Sequence, residues 1–181
     1  FHFSKLNCIV VVDGDFSSHG YDLRAAEKNL QLYHQLAGRA GREGKVSTIF
    51  FQTYTPEDEV LINISKNDPN IFLKKELILR KEKKLPPFYR LISLIISGKN
   101  ELITMKFATN IKSKIPKIKK INVLGPVLAP ITKIRKKYRC RILIRYPKDI
   151  FIQKYLSKML NKIKLTSGIK LEVDVDPINF S

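Results

Sequence analysis

The pair Pro86-Pro87 limits the folding of this chain more than any other feature of its sequence. Neither proline offers a backbone N–H, each fixes its own φ, and each pushes the residue before it out of the helical region. No helix and no central strand can run through them. The segment Leu85-Pro86-Pro87-Phe88 therefore reads as a boundary, and the expected domains are residues 1–84 and 85–181. The chain has 181 residues, which suits one ordinary domain or two small ones.

The patterns on the two sides differ. Before the prolines, Cys8-Ile9-Val10-Val11-Val12 is a short β-branched run that reads as a strand buried on both faces, with Cys8 in the core, as in a parallel sheet covered by helices. Residues 22–37 read as a helix, with Asp22 able to cap it and Leu23, Ala26, Leu30 and Tyr33 at helical spacing. Gly38, Gly41 and Gly44 weaken and end it. A strand over residues 46–53 follows, then a helix opened by Pro56 at its first position and a charged helix over residues 71–84. Strand, helix, strand is half of an open α/β sheet. After the prolines the expected elements are a strand (89–97), a helix (101–114), strands (122–131 and 139–146), a helix (150–165) and a strand (169–175). That β-α-β-β-α-β order is the ferredoxin-like split arrangement.

Charge separates the halves further. Residues 1–84 hold 13 Lys+Arg against 11 Asp+Glu, whereas residues 85–181 hold 21 against 5 and so carry nearly all of the net +18. Such an excess repels itself in a compact domain, and a polyanion relieves it by releasing condensed counterions as Lys and Arg neutralise phosphates. A Lys-, Ile- and Asn-rich composition of the AT-rich kind adds lysines but does not explain the shortage of acids. Lys133, Arg135, Lys136, Lys137, Arg139 and Arg141 cluster around Tyr138, offering phosphate contacts and a base-stacking ring. A solvated charged face, with Tyr138 packed on its own domain, is the plainer alternative. Backbone-led binding, with no base-specific readout, is the expectation.

Other classes are excluded or left without support. No apolar run of about 18 residues is available to cross a membrane, and the first residues lack the layout of a secretory signal. Two cysteines, Cys8 and Cys140, make neither a disulfide framework nor a zinc site by themselves, which points to a reducing, cytosolic setting. His2, His19 and His34 show no metal-ligand grouping, and Asp174 and Asp176 read as a structural strand end, so no metal site is expected. The opening Phe1 suggests a piece of a longer protein.

The sharpest local pattern is Gln35-Leu36-Ala37-Gly38-Arg39-Ala40-Gly41-Arg42. On a continuous helix Gln35, Arg39 and Arg42 share one face, and two guanidiniums there make a clamp suited to phosphate oxygens. Arginines near a helix C-terminus also favour its dipole, but that leaves the glutamine and paired glycines unexplained.

Gln-x-x-Gly-Arg-x-Gly-Arg is the sixth motif of superfamily 2 helicases, and the ordered surroundings narrow the match. Asp13-Gly14-Asp15, Asp22-Leu23-Arg24-Ala25-Ala26-Glu27, Gln52-Thr53, Leu85-Pro86-Pro87-Phe88, Val123-Leu124-Gly125-Pro126, Tyr138-Arg139 and Asp174-Val175-Asp176-Pro177 together resemble the primosomal protein N′ family, the PriA replication-restart helicases, over nearly the whole chain. The resemblance implies a partial RecA-like helicase lobe with a parallel sheet, carrying the fifth and sixth motifs, followed by a small α+β ferredoxin-like DNA-binding domain. It implies an ATP-dependent 3′–5′ DNA helicase whose ATP and Mg2+ are held mainly by a lobe absent from this chain. Arg42 would be the arginine finger, Arg39 its support, and Gln35 a water-orienting or coupling residue. Asp13, Asp15 and Asp22 would couple nucleotide to DNA, although Asp22 also reads as a helix cap and Asp13 and Asp15 as a strand-end turn. Arg24 with Glu27 reads as a surface ion pair.

The phosphate-binding loop, the Asp-Glu-x-His motif and the cysteine-rich module that binds Zn2+ in the family do not occur in this sequence, and Ser17-Ser18-His19-Gly20-Tyr21 departs from the usual fifth-motif region. Implied partners are branched and single-stranded DNA, the single-strand-binding protein and other primosome proteins, in a bacterial, nucleoid-associated cytoplasmic setting. A stand-alone nucleic-acid-binding module, or an inactive remnant of a split gene, are the competing readings.

Overall fold

The computed structural model describes residues 6–15, 23–39, 48–66 and 69–178. It is mixed α/β, with five helices and two sheets among those residues, and it divides into two compact units, Phe1–Leu77 and Ile78–Ser181. No helix among the described residues is long and apolar enough to cross a membrane.

In the first unit, β1 (Cys8–Val11) pairs in parallel with β2 (Thr48–Phe51), in the register Cys8↔Thr48 to Val11↔Phe51. Helix α1 (Ala25–Arg39) connects them, and α2 (Glu59–Lys66) follows. Leu30 and Tyr33 from α1, Val60 from α2 and Phe72 make a small core, against which Val11 and Phe51 pack. Tyr33 meets the Phe51 ring edge-on at 4.8 Å between centroids and donates its hydroxyl to the Gly14 carbonyl at 3.2 Å.

This arrangement corrects the expectation of strands buried on both faces. Both strands alternate, with Val10 59% and Phe50 56% exposed, because the described helices pack on the Val11 and Phe51 side alone. Cys8 falls on the outward side and is exposed rather than in the core. Two helix ends also differ. α1 continues through Gly38 to Arg39, where a Cβ would meet nothing within 4 Å, so the missing side chain is not needed there for packing. α2 starts at Glu59 instead of Pro56, because the Asp58 carboxylate accepts the Val60 N–H at 2.8 Å and caps the helix.

α3 (Pro69–Glu82) crosses from one unit to the other and ends before the prolines. In the second unit β3 (Tyr89–Gly98), α4 (Glu101–Lys114), β4 (Asn122–Ile134), β5 (Lys137–Pro147), α5 (Ile152–Asn161) and β6 (Lys170–Val175) follow. The sheet order is β4-β5-β3-β6, antiparallel throughout. Side chains on a strand alternate between faces. Ile92, Leu94 and Ile96 of β3 and Cys140, Ile142, Ile144 and Tyr146 of β5 therefore share one face, where Phe107, Ala108 and Ile111 of α4 and Ile152 and Leu156 of α5 cover them. Asn100 caps α4 by accepting the Ile103 N–H at 3.0 Å. α5 is shorter than its apolar pattern implies; it ends at Asn161, and Ile163 packs on the core from an irregular segment.

Gly125 sits where β4 shifts register against β5, with φ at 88°. A Cβ there would stand 2.6 Å from the Arg141 carbonyl oxygen, so the position admits glycine alone.

Asp176 closes the far edge. Arg90 donates to its carboxylate through Nε at 3.1 Å and through a second nitrogen, and the Leu91 N–H approaches it at 3.4 Å. The Arg90 hydrogen bonds, assisted by that N–H, hold its carboxyl below the ordinary carboxylate range despite some opposing desolvation. A carboxyl depressed by folding stabilises above its unfolded pKa of about 3.9 and loses that stabilisation as pH falls through the folded value. Asp176→Asn is therefore expected to be less stable than the parent at neutral pH and to match it in strong acid. Thermal melts of both proteins across the acid range check this, and a gap that stays constant down to the lowest pH would show that the carboxylate charge is irrelevant.

Candidate nucleic-acid interface

The basic run of the second half forms two strands and their turn. Pairs Lys133↔Tyr138 and Ile134↔Lys137 leave Arg135 and Lys136 as the turn, with φ of 48° and 64°. Two consecutive left-handed residues make the hairpin turn whose twist matches the strands, a place ordinarily filled by Asn and Gly. Each non-glycine residue held there costs about 1–2 kcal/mol. The chain nevertheless places two long cations at the apex. Lys133, Arg135, Lys136 and Lys137 are exposed, while Tyr138 and Arg139 are half-buried. The Lys133 ammonium lies 5.0 Å from the Tyr138 ring centroid. That cation–π contact occupies part of the aromatic surface that a base would use.

Arg141 belongs elsewhere. Alternation along β5 sends it to the sheet face away from α4 and α5, in register with Ile95 on one side and Val127 on the other, and it is 7% exposed. Burial lowers its pKa most, Arg139 adds to that, and the charge of Asp174 opposes it. The cluster read from the sequence thus resolves into five basic side chains at or near the hairpin end and one built into the sheet.

In the first unit Gln35 is exposed on α1, and Arg39, one turn further on, is that helix's last residue. Arg42 and Asp22 lie outside the described residues. Asp13 accepts the Asp15 N–H at 3.1 Å in the turn after β1. The Asp15 carboxylate accepts from the Thr53 hydroxyl at 2.6 Å, the Thr55 hydroxyl at 2.7 Å and the Tyr54 N–H at 2.8 Å. These bonds, that from Thr53 foremost, hold its pKa below the ordinary value. Arg24 and Glu27 form the surface ion pair at 3.2 Å. No group of three or more His, Cys, Asp or Glu suited to a metal occurs among the described residues.

A second cationic feature went unread in the sequence. At the C-terminal end of α4, Lys112 of its last turn and Lys117 and Lys119 beyond it line a cavity of about 620 Å³ whose apolar side includes Ile115, Ile118 and Ile121. Its signal was the lysine-rich stretch around Pro116, residues 112–120. The Lys112 ammonium donates to the Gly125 carbonyl.

Fold and charge together define a mixed α/β chain in which a strongly cationic antiparallel unit follows a smaller parallel one. The family described as "Primosomal protein N C-terminal domain" matches residues 81–178, and the chain belongs to that family. Over 180 residues, 99% of this chain, it is 37% identical to "Replication restart protein PriA" of Rickettsia conorii, covering 28% of that protein. Proteins of the same name from Haemophilus influenzae and Bacillus subtilis are 31% and 30% identical over 99% and 97% of this chain, which covers 25% and 22% of them. The chain spans about a quarter of the length of these relatives.

Five basic side chains on single-stranded phosphates give a log–log salt slope of about −3.5, from roughly −0.7 each. Lys136→Gly is expected to move stability and binding in opposite directions. It removes one left-handed side chain, raising stability by ~0.5–1 kcal/mol, and it removes one phosphate contact, shrinking the slope by about 0.7. Denaturant melts and anisotropy titrations over a range of salt read both quantities. An unchanged slope in this variant would take the apex out of the interface.

Proposed function

We propose that the chain is the C-terminal portion of an ATP-dependent 3′–5′ DNA helicase that recognises and remodels stalled replication forks so that the replisome can be reloaded. One observation carries this reading: the unit matched to the primosomal family holds nearly all of the chain's excess positive charge and displays five of its basic side chains at or near one hairpin end. The parallel β1–β2 pair joined through α1 supports taking residues 1–84 as the closing part of a RecA-like lobe. The antiparallel order β4-β5-β3-β6 supports taking residues 85–181 as a ferredoxin-like DNA-binding domain. Branched and single-stranded DNA are the proposed ligands, met through Lys133, Arg135, Lys136, Lys137 and Arg139. Single-strand-binding protein and other primosome proteins are the proposed partners, in the bacterial cytoplasm.

For the nucleotide, the residues present fit a supporting role. Asp15 is already committed to Thr53, Tyr54 and Thr55, and the sequence has no phosphate-binding loop, so the chain has few groups to hold ATP and Mg2+ on its own. When bound, ATP supplies the energy of γ-phosphate transfer to water. Arg39 and Arg42 place positive charge where negative charge builds on the transferred phosphoryl group, and Gln35 orients the attacking water. Zinc does not fit the described residues: of the two cysteines, Cys140 is buried and Cys8 is exposed far from it in sequence.

The Arg42→Ala change, made at the matching arginine of a full-length relative, is expected to lower DNA-stimulated ATP turnover by about 10³–10⁵ while leaving DNA affinity near that of the parent. The present chain alone should hydrolyse no ATP. Near-parental turnover in the variant would remove Arg42 from the finger role.

A further inference from the structure

We propose that Tyr54 is a stacking platform for a nucleobase, held at the carboxyl ends of β1 and β2. The proposal goes beyond the hairpin reading, because it concerns the other unit and uses no cation.

Loops that leave adjacent parallel strands at their carboxyl ends are the usual ligand edge of an α/β sheet. At this edge the two loops are bonded together: Gln52 donates its N–H to the Val11 carbonyl at 2.9 Å, and Gly14 donates to the Gln52 carbonyl at 2.9 Å. A Cβ on Gly14 would stand 3.3 Å from that oxygen, so the approach is close. The Asp15 carboxylate then gathers donors from Thr53, Tyr54 and Thr55, consecutive residues of the second loop. Thr55 further donates its N–H to the Thr53 hydroxyl at 2.9 Å. The backbone on both sides of Tyr54 is therefore fixed.

The side chain that this frame carries takes no part in packing. Tyr54 is 95% exposed, the highest value among the exposed large hydrophobic residues. An aromatic ring on a fixed backbone has little conformational freedom left to lose on binding, and every base offers a flat face to it whatever its identity. The surroundings select the base over the phosphate. Both threonine hydroxyls are engaged with Asp15, and Asp13 and Asp15 make the turn acidic, so a phosphate would be repelled from it. A ligand meets this edge with its base and keeps its phosphate elsewhere. The base belongs either to a DNA strand or to a free nucleotide.

The chain contains no tryptophan, so Tyr54→Trp introduces a single indole whose emission reports stacking. The 181-residue chain with this change is titrated with a short oligothymidylate, with an abasic oligonucleotide of equal length, and with ATP or ADP. Saturable quenching by the oligothymidylate but not by the abasic strand assigns the site to DNA, and quenching by ATP or ADP alone assigns it to a free nucleotide; either upholds the proposal. In anisotropy titrations of the labelled quenching ligand, Tyr54→Ala is expected to weaken its binding about tenfold and Tyr54→Phe to preserve it. Both should melt like the parent, since the ring is almost wholly exposed. Three results would overturn the proposal: anisotropy showing DNA bound without any quench, equal quenching by the abasic strand, or no binding of any probe. The first leaves the hairpin reading standing. A full quench together with an unchanged salt slope in Lys136→Gly would sink the hairpin reading and leave this one.

Discussion

The ladder between β3 and β5 pairs every residue from Tyr89↔Pro147 to Gly98↔Tyr138, and its register decides what the basic strand can do. A slip of one residue would exchange the two faces of β5. The apolar set Cys140, Ile142, Ile144 and Tyr146 would then turn to the open face, and Arg139, Arg141 and Arg145 would turn into the helices. Burying three guanidiniums against Phe107 and Ile111 is prohibitive, so the alternation in β5 permits a single alignment. That alignment fixes where β5 emerges from the sheet at Tyr138, and hence where the hairpin and its cations stand.

The same register explains why the charge excess does not simply cancel within the unit. Two ion pairs described in it, Arg90 with Asp176 and Lys170 with Glu172, lie at its edges and are partly exposed, where such pairs contribute little. Arg141 is the basic residue that the sheet itself absorbs, under the influence of Asp174. The remaining cations of the hairpin have no carboxylate opposite them in the strand pairing: Lys133 faces Tyr138, Lys137 faces Ile134, Arg139 faces Ser97, and Arg135 and Lys136 form the turn. Repulsion among them is tolerable in an extended arm surrounded by water, and an arriving row of phosphates removes it.

How much of this was legible in the sequence depended on which physical signal each residue carried. Pro86-Pro87 and the apolar alternation of β3 and β5 are strong local signals, and the element order after the prolines followed from them. Helix α4, from Glu101 to Lys114, was readable to the residue. The two-sided burial expected for β1 was not found, because an unbroken apolar run states that a strand can be covered on both faces, while coverage depends on which other elements are present. Arg141 looked equivalent to its neighbours because a run of charges hides the period of two beneath it. A connection between the two middle strands was expected across residues 132–138, but its tightening to Arg135 and Lys136 was not readable, because neither residue is a turn former and the strand pairing imposes that conformation against local preference. Tyr54 was likewise unreadable, since nothing in Gln-Thr-Tyr-Thr announces that a carboxylate 39 positions earlier in the chain will seize its backbone.

The hairpin apex and the Tyr54 loop share one physical logic, although they lie in different units. At each, the backbone is held by bonds that the displayed side chain does not make, locally at the apex and over 38–40 positions at the loop, so the conformation does not depend on that side chain. At the apex, ladder pairs on both strands hold two left-handed residues that their own preferences oppose. At the loop, one carboxylate holds three residues, two of them through side chains that would otherwise be free to meet solvent. A side chain that contributes nothing to holding its own backbone can be exchanged without loss of fold, and selection for stability alone would place Asn-Gly at the first and a small polar residue at the second. The residues found there, Arg-Lys and Tyr, are worse choices for stability and better ones for meeting phosphates and bases. That difference between what the backbone requires and what the sequence supplies is the physical ground for proposing a ligand at both places.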